Sequence, residues 1–413
     1  MGERPLRTAA IVATGEELVR GATVDTNSAW IAARLRSAGI EVAEVRVVGD
    51  RLEAIRDAVA ELSRRVDLLV VTGGLGPTPD DRTRDALAAA AAVPLERDAA
   101  SEAMLQAWFA RIGRTPSASN ARQALLPQGA RPIENSRGSA PGIELEIGRA
   151  WVVAVPGVPS EMRAMIGDFV LPKARAATAA PLVERHLQVV GLPESVVGER
   201  IAAWMEARGP PLVSDVVRHG IVTVTASDRD DADGRARLDQ CVAAMRAALG
   251  DHLFSERDET LAKFLVDRLR DRRETVAAAE SCTGGLLAAA LTDVPGSSEV
   301  LLEACVTYAE RAKERLLAVP AELLRDHGAV SEPIARAMAE GVRVRAGASY
   351  GIATTGVAGP GGGSELTPVG VVHLAVSGPR GTDHARRRYS GDRDSVRRFA
   401  VIGALDLLRR QLR

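Results

Sequence analysis

The sequence predicts an α/β protein of 413 residues, with two larger domains joined by a small α+β module. Two observations support this prediction. In the first and last thirds of the chain, short apolar runs of strand type alternate with helical segments. The runs end in turns rich in glycine and proline, and residues 172–181 have the composition of a linker. The predicted domains span residues 1–174, 175–255 and 256–413.

In the first domain, predicted strands and helices alternate as they do in parallel sheets with crossover helices. Each apolar run is followed by an amphipathic segment, and Asp25 can cap the first of these helices. The predicted strands are 8–14, 42–48, 67–72 and 150–155, and the predicted helices are 28–38 and 52–64. Because ligands of open α/β sheets bind beyond the carboxyl ends of strands, we expect a site where the third strand ends.

That strand runs into the turn 73–81, which reads Gly-Gly-Leu-Gly-Pro-Thr-Pro-Asp-Asp. Its glycines would let backbone amides approach phosphate oxygens, and its carboxylates could hold a divalent ion. All six histidines lie after residue 185, so a metal here would be a hard ion such as Mg²⁺ or Mn²⁺. Alternatively, Asp81 only caps the next helix. The candidate residues are Thr72, Gly73, Gly74 and Gly76 for phosphate, and Asp80 and Asp81 for the metal.

The middle module contains a predicted strand at 187–190, helices at 195–207 and 235–249, and a hairpin at 212–226. No combination of its residues indicates chemistry, so we interpret it as a spacer.

The last domain contains the strongest candidate for a catalytic turn. Residues 277–285 read Ala-Ala-Ala-Glu-Ser-Cys-Thr-Gly-Gly, between a strand at 274–279 and a helix at 286–291. A nucleophile there would have helix amides as donors for an oxyanion. The alternative is that Ser or Thr only caps the helix. The other predicted elements are helices at 259–270, 312–317 and 334–346, a closing helix led by 391–397, and strands at 304–307, 350–354 and 368–373.

Composition restricts the class of function. The 53 basic and 54 acidic residues give a net charge of −1, which argues against direct contact with nucleic acid or an anionic membrane. The three cysteines have no metal-ligand spacing, and the chain shows neither a signal peptide nor a membrane-spanning run. We therefore expect a cytoplasmic protein.

Both larger domains resemble the CinA family (competence/damage-inducible protein A). The matching segments are 14–16, 25–27, 72–81, 123–127, 140–142 and 156–162 in the first domain, and 279–285, 295–298, 306–308, 313, 328–333, 355–363, 368–370 and 391–393 in the last. The resemblance implies a three-layer fold of the molybdopterin-binding type for the first domain. It also implies hydrolysis of ADP-ribose there, with Mg, Mn or Co, and Asp25 and Glu161 are further candidate metal ligands.

For the last domain the resemblance implies hydrolysis of the carboxamide of nicotinamide mononucleotide without a cofactor, by a homodimer. Only three lysines occur among the 53 basic residues, and a buried lysine can serve as a base. We expect Ser281 to be the nucleophile and Lys313 its base, oriented by Thr283 and Tyr308, with Cys282 as the rival nucleophile. The expected substrate-binding residues are Gly284, Gly285, Thr355, Gly356, Gly359, Gly361 and Arg393.

Two positions depart from the family pattern: Ala304 stands where glycine is usual, and Glu310 where asparagine is usual. We expect them to affect substrate affinity or rate rather than the fold. A competence or repair adaptor without catalytic activity is the alternative function. A first domain that only binds a pterin or a nucleotide is another.

Overall fold

The computed structural model of the protein describes residues 5–178 and 181–413. The described chain divides into two compact units. The first comprises the described residues of Met1–Val183 together with Arg229–Arg235, and the second comprises Glu184–Asp228 and Ala236–Arg413. Most of the predicted middle module therefore lies in the same unit as the last third of the chain.

The first unit is built around a mixed sheet of six strands with the order β2-β1-β3-β8-β7-β6. The elements are β1 (Thr8–Thr14), α1 (Glu16–Val19), α2 (Thr26–Ser37), β2 (Glu41–Val48), α3 (Leu52–Leu62), β3 (Leu68–Thr72), α4 (Thr83–Ala91), β4 (Leu95–Arg97), α5 (Ala99–Arg111), β5 (Leu125–Pro127), β6 (Arg131–Ile133), β7 (Gly142–Ile147), β8 (Ala150–Val155), α6 (Pro159–Met165) and α7 (Leu171–Ala177). Strands β2, β1, β3 and β8 are parallel, whereas β7 pairs antiparallel with both of its neighbours, β8 and β6.

Helices cover both faces of this sheet. Along β1, Ala10 and Val12 pack into one apolar core with α3 and α4, whereas Ala9 and Ile11 pack into another with α2 and α6. Because β3 is buried on both faces, its residues 68–71 form a continuous apolar run that ends at Thr72. The predicted three-layer arrangement is confirmed, and the carboxyl ends of β1, β3 and β8 lie at one edge of the sheet.

The predicted linker at 172–181 begins as helix instead. Residues up to Ala177 form α7, since Leu171 and Ala174 are buried in the core of the first unit. Residues 179 and 180 of the predicted linker lie outside the described part of the chain.

The second unit contains a sheet of four strands, β10-β11-β9-β12, and one of five, β14-β13-β15-β16-β17. Its elements are β9 (Leu182–Val190), α8 (Glu194–Met205), β10 (Leu212–Arg218), β11 (Ile221–Arg229), α9 (Ala232–Leu249), β12 (Leu253–Ser255), α10 (Leu261–Arg272), β13 (Val276–Glu280), α11 (Leu286–Thr292), β14 (Leu301–Val306), α12 (Glu310–Leu317), α13 (Ala321–His327), α14 (Glu332–Ala346), β15 (Tyr350–Gly356), β16 (Val371–Gly378), β17 (Gly381–Arg388) and α15 (Arg393–Gln411).

The larger sheet of the second unit again has helices on both faces. Val276 and Ala278 of β13 pack with α10, α11 and α15, and Ala277 packs with α14 on the other face. Val190 and Phe254 from the smaller sheet belong to the first of these cores, so the two sheets share apolar packing. No described helix has both the length and the apolar character needed to cross a bilayer.

Candidate functional site

Three parallel strands end side by side where the catalytic turn was predicted. Strand β13 pairs with β14 on one side and with β15 on the other. The amide of Ser281, directly after β13, donates to the carbonyl of Thr354 at 2.9 Å. The amide of Thr307, directly after β14, donates to the carbonyl of Glu280 at 2.7 Å. The side chains that follow these strands therefore converge on one region.

Helix α12 brings Lys313 to Ser281. Half of its residues are exposed and charged, but Lys313 and Leu317, one turn apart, point into the protein and are buried. Lys313 is 1% exposed. Its Nζ lies 3.1 Å from the hydroxyl oxygen of Ser281 and donates to the carbonyl of Thr307 at 2.6 Å. The predicted nucleophile and the predicted base are thus within hydrogen-bonding distance.

The surroundings of Lys313 favour a neutral amine. Burial lowers its pKa below the ordinary value, and the negative charge of Glu310 opposes that shift. No carboxylate in the described part of the chain forms an ion pair with Nζ. A neutral amine at this distance can accept a proton from a serine hydroxyl.

Cys282 lies beside Ser281 but points into the core, where it is 6% exposed. Burial, with a contribution from the charge of Glu280, raises the pKa of its thiol to about 12. Since the thiolate is the reactive form of cysteine, this position suits a packing residue and not a nucleophile.

The amides of the turn have different partners. Those of Gly285, Leu287 and Ala288 donate to the side chain of Glu280, and the amide of Gly284 donates to the carbonyl of Ser281. Within the described chain, no backbone carbonyl accepts from the amides of Cys282 and Thr283. The amides of Gly284 and Gly285, two of the predicted substrate-binding residues, are therefore already engaged, and the two preceding amides remain available to bind an oxyanion.

The two residues expected to orient the pair have other contacts. The Thr283 hydroxyl lies 2.7 Å from that of Thr354, and both side chains are fully buried. Tyr308 is 62% exposed, and its hydroxyl accepts a hydrogen bond from Arg393 at 3.0 Å. Of the predicted catalytic residues, only Lys313 hydrogen-bonds to Ser281.

Arg393 connects Tyr308 to the glycine-rich loop after β15. Its second terminal nitrogen donates to the carbonyl of Gly359 at 2.7 Å. A side chain at Gly359 would meet Val369, and one at Gly356 would meet β16, whereas Gly361 has open space around it. The hydroxyl of Thr355 donates to the carbonyl of Ala329 at 2.7 Å, so it anchors the loop. The loop therefore places a guanidinium near the exposed Tyr308.

In the first unit, the turn after β3 lines a cavity of about 430 Å³. Gly73 and Gly74 have positive φ, and a side chain would come within 2.5 Å of Thr14 at the first and within 2.4 Å of Thr83 at the second. The Gly73 amide donates to the carbonyl of Val155, whereas those of Gly74 and Gly76 have no acceptor in the described chain. Thr72 does not line the cavity; its hydroxyl donates to the carbonyl of Pro156.

Three of the four predicted metal ligands line this cavity. Asp80, Asp81 and Glu161 do so, but Asp25 caps α2 by accepting from the amide of Ser28. The described residues contain no group of three His, Cys, Asp or Glu side chains that could hold a metal ion. Asp81 accepts from the amide of Thr78 at 2.8 Å and does not cap α4, so the alternative given for it is wrong. Glu161 accepts from the side-chain nitrogen of Asn135 at 2.6 Å.

Several residues at the two sites were not predicted. Glu17 and Asp50 add two carboxylates to the cavity. Burial raises the pKa of Asp50, and the charges of Glu17 and Asp80 raise it further. Asp50 follows the carboxyl end of β2, and ligands of open α/β sheets bind beyond such strand ends, so its position in the sequence could have indicated it. At the other site Glu280 was missed, although a carboxylate after four buried residues of a central strand is a recognisable signal.

Two family models match the chain. A model described as the CinA C-terminal domain matches residues 258–412, and one described as a probable molybdopterin binding domain matches residues 10–176. The relatives include a CinA-like protein of Anaeromyxobacter dehalogenans (strain 2CP-C), 43% identical over 98% of this chain and 99% of its own. A putative competence-damage inducible protein of Symbiobacterium thermophilum is 40% identical over 98% of both chains.

Solved structures match parts of the chain. The competence/damage inducible protein CihA from Agrobacterium tumefaciens is 43% identical, and the match covers 36% of this chain and 92% of that one, with a TM-score of 0.36. The protein CinA from Thermoplasma acidophilum is 34% identical over 41% of this chain and 98% of that one, with a TM-score of 0.38.

Proposed function

The chain belongs to the CinA family, and from this premise we propose that it hydrolyses the carboxamide of nicotinamide mononucleotide to nicotinic acid mononucleotide and ammonia. The observation that carries the proposal is the distance of 3.1 Å between the Ser281 hydroxyl and the amine of Lys313, which is almost completely buried. Serine and lysine can together perform amide hydrolysis when the amine is neutral.

In the proposed mechanism, Lys313 accepts the proton of Ser281 while the serine oxygen attacks the carboxamide carbon. The amides of Cys282 and Thr283 bind the resulting oxyanion. The lysine ammonium, held by the carbonyl of Thr307, returns its proton to the leaving nitrogen, and ammonia departs from an acyl-serine ester. Water then attacks the ester with Lys313 as base, which releases the carboxylate product and restores Ser281.

Arg393 is the proposed contact for the phosphate of the substrate. It is exposed, has no carboxylate partner in the described chain, and is held near the site by Tyr308 and Gly359. A guanidinium binds phosphate through paired hydrogen bonds. Arg393→Ala should therefore raise KM for the mononucleotide more than it lowers kcat.

The direct test incubates the purified protein with nicotinamide mononucleotide and measures ammonia and the acid product. Ser281→Ala should abolish turnover, while its melting temperature should stay close to that of the parent. No ammonia from the parent would refute the proposal and favour an adaptor role. Activity that persists in Ser281→Ala would refute the assignment of the nucleophile.

We further propose that the cavity of the first unit hydrolyses ADP-ribose with a divalent metal such as Mg²⁺, Mn²⁺ or Co²⁺. Carboxylates line the cavity without any lysine or arginine, and this donor set fits a hard cation. Because no three carboxylates of the described residues form a ready-made metal site, one or two of Asp80, Asp81 and Glu161 would hold it together with substrate phosphates, as is usual for Mg²⁺. When bound, the metal would act as a Lewis acid on the pyrophosphate. The free amides of Gly74 and Gly76 would bind phosphate oxygens.

Asp81→Asn tests this second activity in the full-length chain. Asparagine keeps an oxygen that can accept from the Thr78 amide, but it is a weaker metal ligand than a carboxylate. We expect an unchanged melting temperature and loss of metal-dependent release of AMP from ADP-ribose. If the parent releases no AMP with any of the three metals, the first unit only binds its ligand.

A further inference from the structure

A buried carboxylate lies directly before the nucleophile, and the proposed mechanism does not use it. Glu280 is fully buried at the end of β13. One of its oxygens accepts from the amides of Gly285 and Leu287, at 2.9 and 3.1 Å, and the other accepts from the amide of Ala288 at 2.9 Å. No lysine or arginine in the described chain forms an ion pair with it. Both oxygens therefore have backbone amides as their partners.

The engaged amides belong to the first turn of α11. Amides at the start of a helix have no partner within the helix and attract anions. Without Glu280, these donors beside Ser281 would be left without an acceptor in the described chain. The Glu280 side chain satisfies them from within the protein.

Glu280 also holds the turn that carries the nucleophile. Its side chain fixes the end of the turn at Gly285, where φ is +98°. Its own carbonyl accepts from the amide of Thr307, whose carbonyl accepts from Lys313. The same residue thus contacts the segments that position both Ser281 and its base.

We propose that Glu280 is a positioning residue for acyl transfer. Its carboxylate sets the conformation of residues 281–285 and keeps the helix amides occupied, so that the amides of Cys282 and Thr283 are the ones that bind the oxyanion. This inference rests on the proposed amidase function only where it names the substrate. The effect of Glu280 on the reactivity of Ser281 can be tested without that substrate.

The test compares Glu280→Ala and Glu280→Gln in the full-length protein. Alanine leaves three amides without an acceptor, and glutamine replaces one acceptor oxygen by a donor. We expect kcat to fall by roughly 10²–10³-fold in the alanine variant, the loss typical for a damaged oxyanion site, with KM changed less than about threefold. The glutamine variant should lie between this variant and the parent.

Asp406→Asn is the matched control. Asp406 is another buried carboxylate of the same unit, 7% exposed, but its partners are Arg409 and Arg410. This variant should lose thermal stability and keep kcat. If it lost kcat as Glu280→Ala does, a general loss of stability would explain both results, and the proposal would be overturned.

Chemical rescue separates positioning from a purely structural role. Sodium formate should raise the kcat of Glu280→Ala by at least about tenfold, whereas sodium chloride at equal ionic strength should leave it unchanged. A kcat within threefold of the parent overturns the proposal. A loss that formate does not relieve and that glutamine does not reduce overturns it as well.

A measurement that does not use nicotinamide mononucleotide tests the role of Glu280 even if the proposed function is wrong. The rate at which a fluorophosphonate modifies Ser281, followed by mass spectrometry, should fall in the order parent, Glu280→Gln, Glu280→Ala. If the parent reacts but does not deamidate the nucleotide, only the proposed function fails. Equal rates in all three proteins, or no reaction in the parent, would refute the role of Glu280.

Discussion

Replacement of Lys313 by methionine separates the chemistry of this residue from its packing. Methionine has a similar length and no amine. The carbonyl of Thr307 would lose its donor, which costs about 1–3 kcal/mol for a buried acceptor. Removal of a desolvated amine offsets part of this cost. We therefore expect the free energy of unfolding to change by less than about 2 kcal/mol and the melting temperature by less than about 8 °C, since 1 kcal/mol shifts a unit of this size by roughly 2–4 °C.

Activity should respond much more strongly than stability. Without the amine, no side chain in the described part of the chain lies within hydrogen-bonding distance of Ser281 to take its proton, and general bases contribute about 10²–10⁴-fold to rate. Lys313→Met should lower kcat by that factor. Lys313→Arg keeps a positive charge but cannot accept a proton, so it should be as inactive as the methionine variant. Its larger side chain should also reduce stability, because the site is fully buried.

The assay is ammonia release from nicotinamide mononucleotide, with thermal melting of the same samples. Lys263→Met is the control, since Lys263 is half-exposed on α10 and pairs with Asp267 at 2.6 Å. We expect it to retain the activity of the parent. If Lys313→Met keeps kcat within tenfold of the parent, the base lies elsewhere and the reasoning from burial and distance is refuted.

Glu310→Asn removes a negative charge that raises the pKa of Lys313. In a plot of kcat against pH, the acidic side of the profile should therefore move to lower pH, and an unchanged profile would contradict this. Cys282→Ala should keep most of the activity, because burial raises the thiol pKa to about 12, and a loss as large as that of Ser281→Ala would contradict it. Burial, with the charges of His384 and Arg386, lowers the pKa of His373 from 6.5 to about 4. As the pH falls from 7 towards 4, the imidazole of the unfolded chain therefore binds a proton before that of the folded chain, and the free energy of unfolding should decrease. For His373 alone the loss is about 2 kcal/mol between pH 7 and pH 5. Urea unfolding of the parent and of His373→Gln should show it as a weaker pH dependence in the variant.

Much of the fold could be predicted because central parallel strands are buried on both faces. The predicted strands at 67–72 and 150–155 correspond to β3 (Leu68–Thr72) and β8 (Ala150–Val155), which are buried throughout. Strand β17 (Gly381–Arg388) was missed, because it is an edge strand rich in arginine whose partner is β16. Because β17 is held by backbone hydrogen bonds to β16 and most of its side chains are not buried, its sequence shows no apolar pattern.

The composition of the catalytic pair was also accessible from the sequence. A serine at a turn from strand to helix and a scarce lysine indicated the chemistry, and the resemblance to the CinA family named the reaction. The sequence could not determine whether Nζ reaches Oγ, since Ser281 and Lys313 are 32 residues apart. That distance depends on β14 lying beside β13 and on α12 turning its buried face towards them.

Only the tertiary structure decided which polar groups serve as partners. From the sequence, Asp81 was a leading candidate for a metal ligand, and Asp25 was a further candidate that could also cap a helix. In the structure Asp25 caps α2, and Asp81 accepts from Thr78 at the edge of a cavity. Likewise, the amides of the turn looked equally available until Glu280 was seen to engage three of them. The apolar pattern of a sequence determines which segments are buried. Hydrogen-bond partners depend on which strand ends and helix ends meet, and that pairing is long-range.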